Sequence, residues 1–426
     1  MTYNDTLEYL YNSTPVFERV GASAYKEGLY NTLQLDEHFN HPHRQYRTIH
    51  VAGTNGKGST SHTLAAILQA EGYKVGLYTS PHLVDFAERI RINGEPIEHQ
   101  YVVDFVYEHK DFFEPLCPSF FEIVTAMAFK YFADRDVDIA VVEVGLGGRL
   151  DCTNIITPIL SIITNISYDH TALLGNTLGK IAAEKAGIIK QGIPVVVGEW
   201  NDETLPVFEE TARRHDARLI LADSRHDAKL ILADSRQNED FQLKGSYQAR
   251  NLATILTAVR ELQDMGIIAH ESDAVSTGLN NVCSLTGLRG RWETVRQNPL
   301  VICDTGHNVA AWNYLSKQLS DTHRECVSKN EEARMRIVFG MVDDKDIDTV
   351  LSLLPRNAIY YFCQASTHRA IPAQTVKEKA ERHGIVGEAF TTVGEAYETA
   401  LAHSKDCDFI FVGGSSYVVA DFLTSK

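Results

Sequence analysis

The segment Gly53-Thr54-Asn55-Gly56-Lys57-Gly58-Ser59 brings together the residue types that a phosphate group requires. Gly53 and Gly56 allow backbone N–H groups to approach an anion closely. Lys57 supplies a point charge, and Ser59 can place a hydroxyl on magnesium. Thr60 continues the run into a helix, whose N-terminal end adds a positive field. The spacing is shorter than the common G-x-x-x-x-G-K-[ST] form, and Gly58 separates Lys57 from Ser59. Glu143 ends the apolar run Ile139–Val142, where a magnesium carboxylate belongs in an open α/β sheet. His170 and Ser80 also follow strand-like runs and can complete a metal shell, although magnesium prefers oxygen. Lys185 lies in the helical stretch Ala183–Gly187. Further along, Arg291 suits a bidentate phosphate contact. Asp304 and His307 follow another strand, where a carboxylate can take ribose hydroxyls. Lys345 is less specific, and Gly413-Gly414-Ser415-Ser416 can form an anion-binding nest.

These residues need a frame. Thr48–Ala52 reads as a buried strand, followed by the glycine loop. Leu64, Ile67 and Leu68 then recur at helical spacing, and Gly72 stops the helix. Lys74–Thr79 is the next strand, completing a βαβ unit. Further strands are expected at 139–143, 159–166 and 195–197, with a helix over 178–189. This alternation predicts a mostly parallel sheet covered on both faces. A second α/β pattern begins near Pro299, with strands at 300–304, 336–340, 358–363 and 409–412. The polar segment Arg296–Pro299 is the expected boundary, giving domains 1–296 and 297–426. Gly145-Leu146-Gly147-Gly148 lacks the spacing and βα start of a dinucleotide fingerprint. Residues 1–45 read as polar helices with Leu7, Leu10 and Val16 packing inward.

The 426 residues are 44% hydrophobic and 23% charged, ordinary for a soluble protein of two or three domains. A formal charge of −16 disfavours nucleic acid as a partner. No apolar run approaches a membrane span, and Met1–Leu10 lacks the features of a secretory signal. The cysteines at 117, 152, 283, 303, 326, 363 and 407 form no CxxC pair. A reducing cytoplasm fits them better than a disulfide framework or a zinc site. Residues 215–225 are repeated at 226–236 with one Arg-to-Lys change. Two copies are too few for a solenoid, and no function is assigned to them.

Taken together, seven ordered stretches resemble the folylpolyglutamate synthase and dihydrofolate synthase family of the Mur ligase superfamily. They are His50–Ser59, Tyr78–Leu83, Val142–Asn154, Thr164–Gly175, Ala183–Gly187, Gln248–Asn251 and Asp304–Asn308. The resemblance covers nearly the whole chain. It implies a P-loop, Mur-ligase-like ATPase domain with a mostly parallel sheet and a smaller Rossmann-like C-terminal domain, with ATP bound in a cleft between them. It implies two Mg²⁺ ions, one held by Ser59 and Glu143, the other surrounded by Ser80, His170 and Glu143. Lys57, Lys185, His170 and Glu143 are then the catalytic set, and Lys185 matches a lysine that is carbamylated in the family. Gly53 to Thr60, Asn251, Arg291, Asp304 and His307 match nucleotide contacts. Ser80, Pro81, His82, Phe121, Asp151 and Ser415 fall in the substrate set, with Phe121 and Asp151 at positions linked to pterin binding in bifunctional members.

The implied reaction joins L-glutamate to dihydropteroate, to reduced folates, or to both, through an acyl phosphate, in a cytoplasmic monomer. Two departures stand out: Thr305-Gly306 replaces the family's usual Gly-Ala between Asp304 and His307, and Val309 stands where Pro is common. The alternatives are a Mur-type ligase acting on a cell-wall precursor and a P-loop ATPase that makes no amide. The first is expected to carry an extra N-terminal domain, and only about 50 residues precede the loop. The second leaves Arg291, Asp304 and His307 without a common role.

Overall fold

The structure is a computed structural model that describes residues 1–12, 28–222, 241–343 and 345–425. Val16, the second copy of the duplication and Asp344 lie outside the described residues. The chain divides into two compact units: Met1–Gln242 with Gln248–Leu288, and Leu243–Tyr247 with Arg289–Lys426.

The first unit is built on an eight-stranded sheet with the order β4-β3-β2-β5-β1-β6-β7-β8 among the described residues. Its strands are β1 (Arg47–Ala52), β2 (Val75–Tyr78), β3 (Ile90–Ile92), β4 (Glu95–Pro96), β5 (Ile139–Glu143), β6 (Leu160–Ile163), β7 (Val195–Val197) and β8 (Leu219–Leu221). All pairings are parallel except β2–β3 and β3–β4. The central strands are buried on both faces, which explains why their sequences are continuous apolar runs rather than alternating ones. On one face Ala140 and Val142 pack with Phe105, Phe113, Phe129 and Phe132. On the other, Ala52, Ile163, Val195 and Val197 pack with Ala182, Ala186 and Phe208.

Register decides where the chemistry lies. Val51 pairs with Glu143, Ala52 with Ile163, Tyr78 with Val142, and Ile163 with Val197. Gly53, Glu143, Thr79-Ser80, Thr164 and Gly198 therefore leave the sheet at one carboxyl edge, the edge where ligands gather in open α/β sheets. The helix Lys57–Ala70 descends from that edge and is almost wholly buried. It packs on the helix Ala274–Asn280 at Gly278, where a Cβ would sit 2.6 Å from the Cα of Ile67. Only glycine permits so close an approach.

The second unit holds a six-stranded sheet, β13-β12-β11-β14-β10-β9. Its strands are β9 (Glu293–Gln297), β10 (Leu300–Asp304), β11 (Met335–Phe339), β12 (Ala358–Phe362), β13 (Gly387–Ala389) and β14 (Phe409–Gly413). Only β9 runs antiparallel, pairing with β10. The polar segment Arg296–Pro299 thus holds the end of β9 and the turn into β10, inside the second unit. Trp312, fully buried on the helix Val309–Lys329, meets Phe339 and Phe411 edge-on in the core. Asp304 pairs with Gly413, which also pairs with Phe339, so these strand ends share one edge.

The helix expected over 178–189 spans Leu178–Ala186 and is capped by Gly187. The strand expected over 159–166 shortens to Leu160–Ile163, because Thr164 to Ser167 turn to bond the glycine loop. None of the helices among the described residues is long and apolar enough to cross a membrane.

Candidate active site

The glycine loop is held from below by the segment after β6. Thr54 N–H donates to Asn165 O (2.9 Å) and Asn55 N–H to Asn165 Oδ1 (3.0 Å). Asn55 Nδ2 donates to Ser167 Oγ (3.2 Å), and Thr164 Oγ1 donates to Asn55 O (2.6 Å). Thr54 Oγ1 donates to Ser167 O and accepts from Ser167 N–H. These bonds explain the glycines. Gly53 has φ +149°, and a Cβ there would lie 1.8 Å from Thr164 Oγ1. Gly56 has φ +83°, and its Cβ would lie 2.2 Å from Asn251 Oδ1. Any side chain at either position would collide with a neighbour that shapes the loop.

Gly56 is the N-cap of the helix Lys57–Ala70, so Lys57, Gly58 and Ser59 form its first turn. The N–H groups of such a turn have no carbonyl partner within the helix and favour an anion. Lys57 Nζ folds back onto Gly53 O (3.1 Å) and Thr54 O (3.3 Å). Lys185 Nζ, from the helix Leu178–Ala186, donates to the same Gly53 O at 2.9 Å. Two ammonium groups therefore share one carbonyl. Lys185 is buried, and burial first and Lys57 second pull its pKa down to about 7, against the attraction of Asp169, Asp151 and Glu184. A buried lysine depressed this far beside a glycine loop marks a functional-site candidate.

Ser59 Oγ is buried and accepts from Gln248 Nε2 (3.1 Å), while Gln248 Oε1 accepts from Asn251 Nδ2 (2.8 Å). One glutamine thus joins Ser59 to Asn251 beside Gly56. Sequence reasoning left Gln248 out of the site; its place three residues before Asn251, one helical turn away, was the available signal. Thr60 Oγ1 is buried without a hydrogen-bond partner among the described residues.

Glu143 is buried at the end of β5. His170 takes the left-handed conformation (φ +48°) at the start of a short helix, with Nε2 3.8 Å from Asp169 Oδ1. Ser80 and Pro81 follow β2, and His82 Nδ1 accepts from the Nε–H of buried Arg89 (2.8 Å). Burial first and the charge of Arg89 second hold His82 neutral, its pKa well below the ordinary imidazole value, and the bond from Arg89 leaves the ring proton on Nε2. Among the described residues no group of three or more His, Cys, Asp or Glu side chains converges as a cage. A single buried carboxylate with serine hydroxyls is the donor chemistry of a magnesium ion that keeps waters and takes phosphate oxygens, so the residues fit that ion.

Phe121 stacks near Tyr78 (5.9 Å between centroids). Its ring also lies over Gly145, where a Cβ would come within 2.4 Å of it. Gly145 thus leaves room for this ring. Asp151 is buried and accepts from Leu146 N–H, Thr153 N–H and Thr153 Oγ1. Burial raises its pKa, and these bonds oppose the rise. Thr153 Oγ1 in turn lies 2.8 Å from Nε2 of fully buried His50. Asp151 is thus fixed by a chain that starts inside β1.

In the second unit, Asp304 is buried at the end of β10. Its Oδ2 accepts from Tyr247 Oη (2.6 Å) and Trp292 N–H (2.7 Å), and its Oδ1 from Gly306 N–H (2.8 Å). Burial raises its pKa, against the Tyr247 bond and the charge of Arg291. Arg291 donates to Thr305 Oγ1, and His307 Nδ1 faces Thr305 O at 3.1 Å. Thr305, where the family's usual residue is glycine, thus bonds both groups. Ser415 is buried and caps the helix Ser416–Thr424, accepting from Val418 N–H (3.2 Å). Gly414, with φ +106°, lies so close to Gly340 O that a Cβ would clash at 2.4 Å.

Comparison with known proteins places the chain by family and fold. The family described as "Mur ligase middle domain" matches residues 51–258, and "Mur ligase, glutamate ligase domain" matches residues 290–416. The dihydrofolate synthase/folylpolyglutamate synthase of Bacillus subtilis (strain 168) is 35% identical over 418 residues, covering 93% of this chain and 94% of its own. The structure of E. coli FolC in complex with DHPP and ADP superposes with a TM-score of 0.82 at 30% identity, covering 100% of this chain and 97% of that one. The bifunctional folylpolyglutamate synthase/dihydrofolate synthase of Yersinia pestis, complexed with AMPPNP and Mn ion, gives a TM-score of 0.82 at 28% identity, covering 100% and 98%. The chain belongs to the dihydrofolate synthase/folylpolyglutamate synthase family of Mur ligases.

Proposed function

We propose that the chain is an ATP-dependent ligase that adds L-glutamate both to dihydropteroate and to reduced folates, through an acyl phosphate. The observation that carries this reading is the convergence of Lys57 and Lys185 on the carbonyl of Gly53, at the head of a loop and helix built for phosphate. A carboxylate oxygen of the acceptor attacks the γ-phosphorus of ATP, and ADP leaves. The unprotonated amine of glutamate then attacks the acyl carbon, and inorganic phosphate departs as the amide forms. Lys57 and the N–H groups at Lys57–Ser59 offset the charge spread over the transferring phosphoryl group. Ser59 and Glu143 would hold one Mg²⁺, and Ser80, His170 and Glu143 would surround a second, where the ions would supply further charge neutralisation. Asn251, Arg291, Asp304 and His307 take the nucleotide, and Ser415 belongs to the substrate set with Ser80, Pro81 and His82.

Phe121 offers an aromatic face, and Asp151 a pre-positioned acceptor, for the ring and donor edge of a pterin. Their presence favours both acceptors over one. A Lys185 that loses its proton near neutrality is suited to capture CO₂ as a carbamate. That reaction turns a repulsive cation into an anion beside the metal. The seven free thiols fit a reducing cytoplasm. Incubation with MgATP, L-glutamate and either acceptor, read by mass spectrometry, should yield a glutamylated product from each. Product from one acceptor alone would restrict the enzyme to that step. Phosphate release without an amide would refute the ligase reading.

A further inference from the structure

We infer that Glu199, which lies outside every group of residues assigned above, is a positioning residue for the phosphate loop and acts through Asn165. Glu199 follows β7, and its N–H donates to Thr164 O (2.9 Å), which fixes its backbone at the carboxyl edge. Its Oε1 accepts from Asn165 Nδ2 at 3.4 Å, and its Oε2 is ion-paired with Arg250 Nη1. Asn165 in turn presents Oδ1 to the N–H of Asn55 (3.0 Å).

An asparagine amide has an accepting end and a donating end that are nearly the same in shape. The N–H of Asn55 demands the accepting end, and a carboxylate beyond it demands the donating end. A flipped amide would set oxygen against Glu199 and N–H against N–H. Glu199 therefore selects the one amide orientation that holds Asn55, and with it the path of the loop between Gly53 and Gly56. Arg250 is the residue before Asn251, whose side chain fills the space beside Gly56. The Glu199–Arg250 pair thus ties the two supports of the loop together, one under Asn55 and one beside Gly56. The side chain of Glu199 is 29% exposed and that of Arg250 51%, so the pair contributes little to global stability. Its effect is local and falls on a loop whose shape decides nucleotide binding.

This inference rests on assigning the loop Gly53–Ser59 to the nucleotide phosphates. The test is steady-state kinetics on Glu199→Gln, Arg250→Gln and the double variant, with melting temperatures. Glu199→Gln should raise KM for MgATP about tenfold, the effect of losing one charge-assisted hydrogen bond. KM for glutamate and the melting temperature should stay near wild type. Arg250→Gln should act in the same direction but more weakly. The double variant should raise KM for MgATP no further than Glu199→Gln, because Arg250 reaches Asn165 through Glu199. The inference is overturned if KM for MgATP stays within about twofold of wild type, or if the two effects add. It also falls if all substrates and the melting temperature shift together. Lys57→Ala separates the underlying assignment: if it left MgATP dependence intact, the loop assignment itself would fail.

Discussion

Replacing Lys57 with alanine should leave the protein folded and slow amide formation by about a thousandfold, the scale for removing one pre-positioned charge donor from a transition state. Lys57 is the first residue of its helix, and its ammonium bonds the loop's own carbonyls, Gly53 O and Thr54 O, at 3.1 and 3.3 Å. The side chain curls over the loop like a lid, and a phosphate entering there exchanges those two carbonyls for anionic oxygens. Arginine should restore little, because a planar fork cannot follow the compact path of an ammonium between Gly53 and Thr54. Initial rates at varied MgATP measure this. A loss below tenfold would move the transferring phosphate away from this loop.

Lys185→Met should make the ligand-free protein more stable while reducing activity at least a hundredfold. Burial and the neighbouring Lys57 bring the Lys185 pKa to about 7, from 10.5 in an unfolded chain. Between these two values the unfolded state binds more protons than the folded state, so stability rises with pH across that window. Below about pH 7 the contribution is constant and unfavourable. The slope approaches about 1.4 kcal/mol per pH unit, several kcal/mol in all. Methionine has similar length and no charge, so it removes the penalty. The variant's advantage in melting temperature should be largest at pH 7 and shrink toward pH 10. In bicarbonate buffer the wild type should close part of the gap and gain the mass of one CO₂, since a carbamate no longer titrates as an amine. A variant less stable than wild type at pH 7 would contradict the assignment of strain to this lysine.

What the sequence disclosed and what it hid follow a physical pattern. Glu143 and Asp304 were legible because an acid that ends an apolar run has few places to go except the edge of a sheet. Gly53 and Gly56 were legible for a similar reason, as glycines between a strand and a helix. The path of Lys185 was not. Its ammonium reaches a carbonyl 132 residues away, a contact set by how one helix docks on the sheet. Gln248 and Glu199 were hidden for the same reason, since their roles depend on which side chain faces them. Strand β9 was missed because it is a polar edge strand, largely open to solvent, so the turn that follows it read as a linker. The hairpin β3–β4, only three and two residues long, leaves almost no periodicity to detect, and its Arg91 is buried against expectation.

The central claim is that the acceptor's own carboxylate is phosphorylated before glutamate attacks it. The most direct test uses a reduced folate whose terminal carboxylate is labelled with ¹⁸O, incubated with MgATP and L-glutamate. In an acyl-phosphate mechanism the oxygen that attacks phosphorus leaves with it. Each turnover should therefore place one ¹⁸O in inorganic phosphate, matched mole for mole by new amide. Unlabelled phosphate would mean that water attacks ATP, and the account of the site as an acyl-activating ligase would be wrong.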